Sequence, residues 1–224
     1  MKDSKYDTSD LSRYYLGLGA AFVRGSMPEV ATAFADDDEG AFRAGRDAGL
    51  KLHKFKRNAE LPRVRRVLSM LAGLAPSTLL DIGSGRGVFL WPLLDAFPDL
   101  YVTAIDREAR RATDLCAVSS GGVTRLRAQQ MDATSLGFAD NSFDGVTQLE
   151  VLEHMPDPSK AAREAVRVAR RFVVATVPSK PDDNPEHIHL FDARSLARLF
   201  EDAGARRVTV EHVLNHVVAL ALIT

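Results

Sequence analysis

The chain has 224 residues, 46% hydrophobic and 26% charged; 29 basic and 30 acidic side chains give a formal net charge of −1. This is the make-up of a globular domain with one good core and some structure to spare, and the balanced charge excludes a general electrostatic footprint for nucleic acid. The single cysteine, Cys116, excludes an internal disulfide, and no apolar run reaches the length of a membrane span.

The opening residues MKDSKYDTSD are polar and lack the apolar stretch of a signal peptide, so a cytoplasmic location is expected. Residues 1 to about 60 show no strand alternation. Helices are expected over 9–24 and 38–57, interrupted by Met27-Pro28, with the acidic run Asp36, Asp37, Asp38, Glu39 suited to a helix start. A cleaner amphipathic helix follows over Leu61–Leu74, with Pro62 at its start and Gly73 near its end. From residue 78, strands and helices alternate. Strands are expected at 78–82, 101–105, 143–148, 171–177, 206–213 and 216–223, with a weaker one near 123–128. A helix over Ala193–Ala203 has Asp192 as its expected N-cap. The alternation predicts an α/β fold, a doubly wound and mostly parallel sheet with helices on both faces. The last two strands flank Asn215 and are expected to form an antiparallel hairpin. The expected division is a helical cap or lid over 1–60 and an α/β domain over 61–224.

The run LLDIGSGRGVFL, residues 79–90, reads as a buried strand, a glycine turn and a helix starting near Val88. Gly83, Gly85 and Gly87 allow positive φ and a close backbone approach to a ligand, and the following helix start favours an anionic group. Val88 occupies the place where a dinucleotide fingerprint needs a third small residue. The turn therefore favours a shorter ligand bearing a carboxylate over a nicotinamide cofactor.

Two later segments extend this pattern. The strand DLYVTAID ends at Asp106, 19 residues after Gly87, and MDATSLGFADNSFDGVTQLEVLEHMPDP covers 131–158. In this order the three segments resemble the class I S-adenosylmethionine-dependent methyltransferases over roughly residues 60–215. The resemblance implies a seven-stranded sheet ending in a hairpin and S-adenosylmethionine as the cofactor. It assigns to cofactor binding Asp81, Gly83, Ser84, Gly85 and Gly87 in the turn, Asp106 and Arg107 after the second strand, Asp132 and Ala133 beside the adenine, and Gln148 ending the fourth strand.

In open α/β sheets the ligand lies beyond the carboxyl ends of the strands, so acceptor-side residues are sought in the loops Gln148–Pro156 and Pro178–Phe191. Glu150, Glu153 and His154 fall together in the first. His154 is the expected general base and Glu150 is expected to orient the acceptor, with no metal bound. Two other readings stand beside this one. In the first, Glu150, Glu153 and His154 bind a divalent metal with His187 or His189, a pattern similar to ubiquinone-pathway O-methyltransferases and to RNA 3′-terminal ribose 2′-O-methyltransferases. In the second, the run only shapes the pocket. On an extended segment His187 and His189 point the same way. The basic run KLHKFKR, residues 51–57, with Arg63, Arg65 and Arg66, is either a phosphate-contacting patch or a solvated helix face. Phe89 and Trp91 touch the ligand or belong to the core. The function expected is methyl transfer to an oxygen or nitrogen of a small-molecule acceptor. The alternatives are metal-assisted RNA ribose 2′-O-methylation, or a catalytically silent S-adenosylmethionine-binding subunit.

Overall fold

The computed structural model describes residues 11–57, 61–181 and 183–224. The polar opening segment, the first two residues of the helix expected over 9–24, and Asp182 of the proline-rich loop lie outside the described residues. A seven-stranded sheet forms the centre, with the order β3-β2-β1-β4-β5-β7-β6. The strands are β1 (Thr78–Ile82), β2 (Tyr101–Asp106), β3 (Leu126–Gln130), β4 (Phe143–Leu149), β5 (Ala169–Pro178), β6 (Arg207–Val213) and β7 (His216–Leu222). β1 to β5 run parallel; β7 pairs antiparallel with both β5 and β6. The expected α/β class and terminal hairpin are therefore present. Asn215 has φ 62° and Leu214 φ 20°, so the hairpin turns through the left-handed region that asparagine tolerates.

The N-terminal helices are shorter than the sequence pattern predicts. α1 (Leu16–Ser26) is preceded by a 3-10 turn at Leu11–Arg13, and Pro28 opens the separate α2 (Pro28–Ala33). α3 spans Asp38–Asp47, and Asp37 caps it by accepting from the Gly40 N–H (2.8 Å). The helix expected over 38–57 stops there, because Gly49 adopts φ 84° and the chain re-forms only as a 3-10 turn at Leu52–Phe55. The basic run therefore does not lie on one helix face. α4 (Pro62–Leu74) matches its expected span, but its end is set by Ala75 in the left-handed region (φ 45°), not by Gly73. The helix after the glycine turn, α5 (Leu90–Ala96), begins two residues later than Val88, which is exposed. α6 (Ala109–Ser120), α7 (Pro158–Val168) and α8 (Ala193–Asp202) complete the layers. Asp192 and Ser195 form a reciprocal capping box on α8.

Residues 11–57 share one hydrophobic cluster with the sheet, in which Phe22, Phe42 and Phe55 join Leu79, Trp91 and Phe172. α1 and α6 approach closely enough that a Cβ on Gly25 would fall 1.9 Å from the Ala117 carbonyl oxygen. On the opposite face, Leu80, Ile82, Val146 and Val173 pack under α7 and α8. Among the described residues no helix is long and apolar enough to cross a membrane.

At the amino ends of the strands, buried Asp144 ties β4 to β1. It accepts the Ser77 and Thr78 N–H groups (2.8 and 3.1 Å) and pairs with Arg170. Burial pushes its carboxyl up, but the two amides and Arg170 together outweigh that and hold it below the usual carboxylate value. Such a group stabilises the fold above its unfolded pKa and loses that contribution as pH falls through its folded one. Asp144→Ala is expected to lower stability by about 2–3 kcal/mol at pH 7. The deficit should shrink below about pH 4 in urea unfolding. An equal deficit at both pH values would assign it to packing instead of charge.

Candidate functional site

The glycine turn follows β1, the central strand of the parallel part. Gly83, Gly85 and Gly87 all have positive φ (71°, 57° and 82°). Two of them are closed from behind. A Cβ on Gly83 would lie 2.5 Å from Val151, and one on Gly87 would lie 2.0 Å from Trp91. A Cβ on Gly85 would meet nothing nearer than 3.7 Å, so the turn is open there. Trp91 is core: its Nε1–H donates to the Arg86 carbonyl (3.0 Å) and its ring lies 4.9 Å from that of Phe55. Phe89 is buried in the same cluster. Both aromatics thus support the turn from below.

Asp81 is buried at the end of β1. One carboxylate oxygen accepts from Ser84 Oγ (2.6 Å) and the other from Thr147 Oγ1 on β4 (2.7 Å). Burial pushes its pKa up to about 6, against the two hydroxyl bonds, which pull it down. Asp106 ends β2. It accepts the Gly85 N–H through one oxygen and the Glu108 N–H through the other (2.9 Å each), with Arg111 3.7 Å away. The Gly83 and Ser84 N–H groups donate to the Ile105 carbonyl (2.9 and 3.1 Å). Turn and β2 end are therefore one unit. Arg107 is exposed, and its carbonyl accepts from Gln130 Nε2 (3.0 Å).

The Met131 N–H donates to the Asp106 carbonyl (3.1 Å), which sets the Asp132 loop beside Asp106. Asp132 is exposed and Ala133 is buried. One Asp132 oxygen accepts the Thr134 N–H and Oγ1–H (2.8 and 2.9 Å), which hold its pKa below the ordinary value. Gln148 pairs in register with Ile82, one residue before Gly83. It is fully buried, and among the described residues neither its amide oxygen nor its amide nitrogen has a partner. A buried orphan amide beside an open glycine turn fits a polar ligand at this place.

The run after β4 divides. Glu150 has φ 57° and its carboxylate turns towards the other side of the sheet end. It accepts from Thr176 Oγ1 (2.8 Å) and from His216 Nε2–H (3.0 Å), with Arg63 Nε 3.6 Å away. The 3-10 turn Leu152–His154 carries buried Glu153 and partly buried His154. Ligating atoms of Glu153, His154 and His187 lie within 4.8 Å of one another, and the two histidine rings are 4.7 Å apart. His154 Nδ1–H donates to the Glu186 carbonyl (2.9 Å), which leaves Nε2 for chemistry. The Glu153 carbonyl accepts the Ile188 and His189 N–H groups (2.9 and 3.2 Å), so the proline-rich loop is already docked on this turn. His187 and His189 are not on a strand. His187 meets His154, whereas His189 lies beside Phe191 with its Nε2 buried. Neither Glu150 nor His189 joins the three-residue group. His216 and Thr176 had no local signal in the sequence, and Arg63 was read only with the basic run, because only the sheet order brings β5, β7 and α4 to Glu150.

Three cations of the basic run and the arginines beyond it form ion pairs with acids far along the chain. Lys54 binds Asp114, Arg57 binds Asp95 and Arg66 binds Glu211.

Residues 80–172 match the family model for a methyltransferase domain. The chain is 38% identical over 112 residues to 27-O-demethylrifamycin SV methyltransferase from Amycolatopsis mediterranei, covering 47% of this chain and 40% of that protein. It is 29% identical over 100 residues to ubiquinone biosynthesis O-methyltransferase from Ralstonia nicotianae, covering 44% and 41%. The chain thus spans about two fifths of the length of these relatives. Among solved structures, a SAM-dependent methyltransferase from Aquifex aeolicus superimposes with TM-score 0.62 at 22% identity, covering 81% of this chain and 98% of that one. Magnesium protoporphyrin IX methyltransferase from Synechocystis, with SAH bound, superimposes with TM-score 0.58 at 16% identity, covering 72% and 82%. The sheet order, the glycine turn joined to Asp106 and the matching segment agree: residues 80–172 match a methyltransferase domain, set in a fold shared with solved S-adenosylmethionine-dependent methyltransferases.

Proposed function

We propose that the protein transfers a methyl group from S-adenosylmethionine to an oxygen or nitrogen of a small-molecule acceptor. The observation that carries this reading is the open turn at Gly85, backed by the Asp106 carboxylate that accepts its N–H. The bound cofactor supplies an electrophilic methyl on a sulfonium. Asp106 has one backbone N–H on each oxygen and retains lone pairs for two ribose hydroxyls. Asp132, with Ala133, would take the adenine edge, and Gln148 would use its orphan amide. Asp81 spends both oxygens on Ser84 and Thr147, so its part is to hold the turn. Arg107 has only its place after Asp106 to recommend it. The O-methyltransferase relatives favour oxygen as the acceptor atom. The acceptor-capping role of residues 1–60 belongs to this proposal.

His154 Nε2 is the proposed base, fixed in its tautomer by the bond from Nδ1–H to the Glu186 carbonyl. The grouping of Glu153, His154 and His187 favours a second reading, in which these residues hold a divalent cation that acidifies the acceptor hydroxyl. The donor set of one carboxylate and two imidazoles suits such an ion. The histidine loop is already held beside these residues by its contact with the Glu153 carbonyl, so no loop closure is needed to assemble the group. The RNA reading loses support from the ion-paired basic run.

Asp106→Ala is expected to weaken S-adenosylhomocysteine binding at least tenfold by calorimetry, and Asp106→Asn by less. Unchanged affinity in both would overturn the ribose assignment. His154→Gln separates the two acceptor readings. A base predicts a large loss of turnover, unaltered by chelators, and a wild-type pH–rate profile rising through an imidazole pKa. A metal predicts chelator-sensitive turnover and lost Zn or Mn binding in calorimetry of the cofactor-free protein.

Because the raised pKa of Asp81 disfavours its ionised form in the fold, stability is lost as pH rises from about 3.9 towards 6. Asp81→Asn lacks this dependence. Relative to wild type, its stability in urea unfolding should improve by about 2–3 kcal/mol between pH 3.5 and 7. A constant difference would refute the shift.

A further inference from the structure

Glu150 is the meeting point of two cations from separate elements, and neither belongs to the Glu153 group. His216 at the start of β7 donates Nε2–H to its carboxylate (3.0 Å) and Nδ1–H to the Leu214 carbonyl (3.0 Å). With both ring nitrogens donating, the ring is an imidazolium. The bond to Glu150 raises its pKa above the ordinary histidine value, against burial. Arg63, in the first turn of α4, sets its Nε 3.6 Å from the same carboxylate. That is an ion pair but too long for a hydrogen bond. Among the described residues the Arg63 guanidinium donates no hydrogen bond, although only 17% of the side chain is exposed. Nor are its nitrogens among the sealed, unpartnered atoms, so they still reach open space.

The sum of charge is one carboxylate against two cations. A covered guanidinium fork with its donors uncommitted, beside an imidazolium, suits a planar anion such as a carboxylate. The place is right for an acceptor, since Glu150 lies two residues beyond the orphan Gln148 at the carboxyl end of β4. Leu61 before α4 and Leu214 before β7 are exposed apolar side chains flanking the two cations in sequence. The left-handed backbone at Glu150, a conformation that costs a non-glycine residue free energy, is what turns its carboxylate into this position.

We propose that Arg63 and His216 form an anion subsite that anchors a carboxylate on an otherwise apolar methyl acceptor, with Glu150 as the internal counter-ion that holds both cations in place. This rests on the reading of the adjoining turn as the cofactor site. The acceptor would then be an apolar acid whose methylated atom lies on the side away from Arg63.

The test is calorimetric titration of benzoate, and of the neutral isostere benzamide, into the full chain saturated with S-adenosylhomocysteine. Benzoate is expected to bind at least tenfold more tightly than benzamide. Arg63→Gln and His216→Gln should each weaken benzoate at least tenfold while S-adenosylhomocysteine affinity and the thermal midpoint stay unchanged. Arg63→Lys, which keeps the charge but loses the fork, should fall between wild type and Arg63→Gln. Arg65→Gln, two residues away on α4, should have no effect. Equal binding of benzoate and benzamide, absence of benzoate binding with the cofactor product bound, or full benzoate affinity in the Arg63 and His216 variants would overturn the subsite while leaving the cofactor reading intact. Failure of S-adenosylhomocysteine itself to bind would overturn both.

Discussion

The geometry of the site depends on one buried carboxylate. Asp81 sits at the end of the central strand and reaches in two directions, to Ser84 within the glycine turn and to Thr147 on β4. Both bonds come from hydroxyls, so neither neutralises it, and burial therefore raises its pKa to about 6. The return on this unfavourable burial is rigidity. The turn is fixed against β4, and β4 carries Gln148 and Glu150 just beyond Thr147. Gln148 and Glu150 are thereby registered on the glycine turn through a single side chain.

Asp106 does the same work across the next strand pair. Its oxygens hold the Gly85 and Glu108 amides, and its own carbonyl holds Met131. Three successive strand ends are joined by short polar bonds, while the two faces of the sheet are filled by apolar clusters. The polar bonds add little net stability each, because they replace bonds to water. Their effect is to leave one conformation of the strand ends available, which is what an alignment-dependent methyl transfer needs.

The strands and the hairpin were legible because their signals are local, apolar runs of strand length punctuated by glycine and asparagine; the seven-stranded arrangement followed from the family resemblance, and the weak third strand lies at Leu126–Gln130, later than the 123–128 expected. The capping box at Asp192 was legible for the same reason. The N-terminal helices were misjudged in length where Gly49 at φ 84° ends α3 early, since a helical period alone does not show where a positive φ is used. The basic run was ambiguous for a different reason. Its partners Asp114, Asp95 and Glu211, on α6, α5 and β6, lie far along the chain, and only the folded packing, with α1 on α6 and α4 on β6, brings them together.

The run QLEVLEH shows the limit most sharply. On a helix, Glu150, Glu153 and His154 would share one face at i, i+3 and i+4 spacing, and a single site would be the natural reading. The chain is not helical there. Glu150 takes the left-handed region and only Leu152–His154 forms a 3-10 turn. The bend sends Glu150 towards Thr176, His216 and Arg63, and sends Glu153 and His154 towards His187. One sequence motif thus supplies two clusters of different character, a fixed ion pair network on one side and an imidazole-rich group with an available Nε2 on the other. The division matters for mechanism because the two tasks in methyl transfer conflict. Holding the acceptor needs groups locked in one protonation state, whereas taking its proton needs a group free to change. Under the proposed reading, the left-handed Glu150 keeps those tasks on separate side chains.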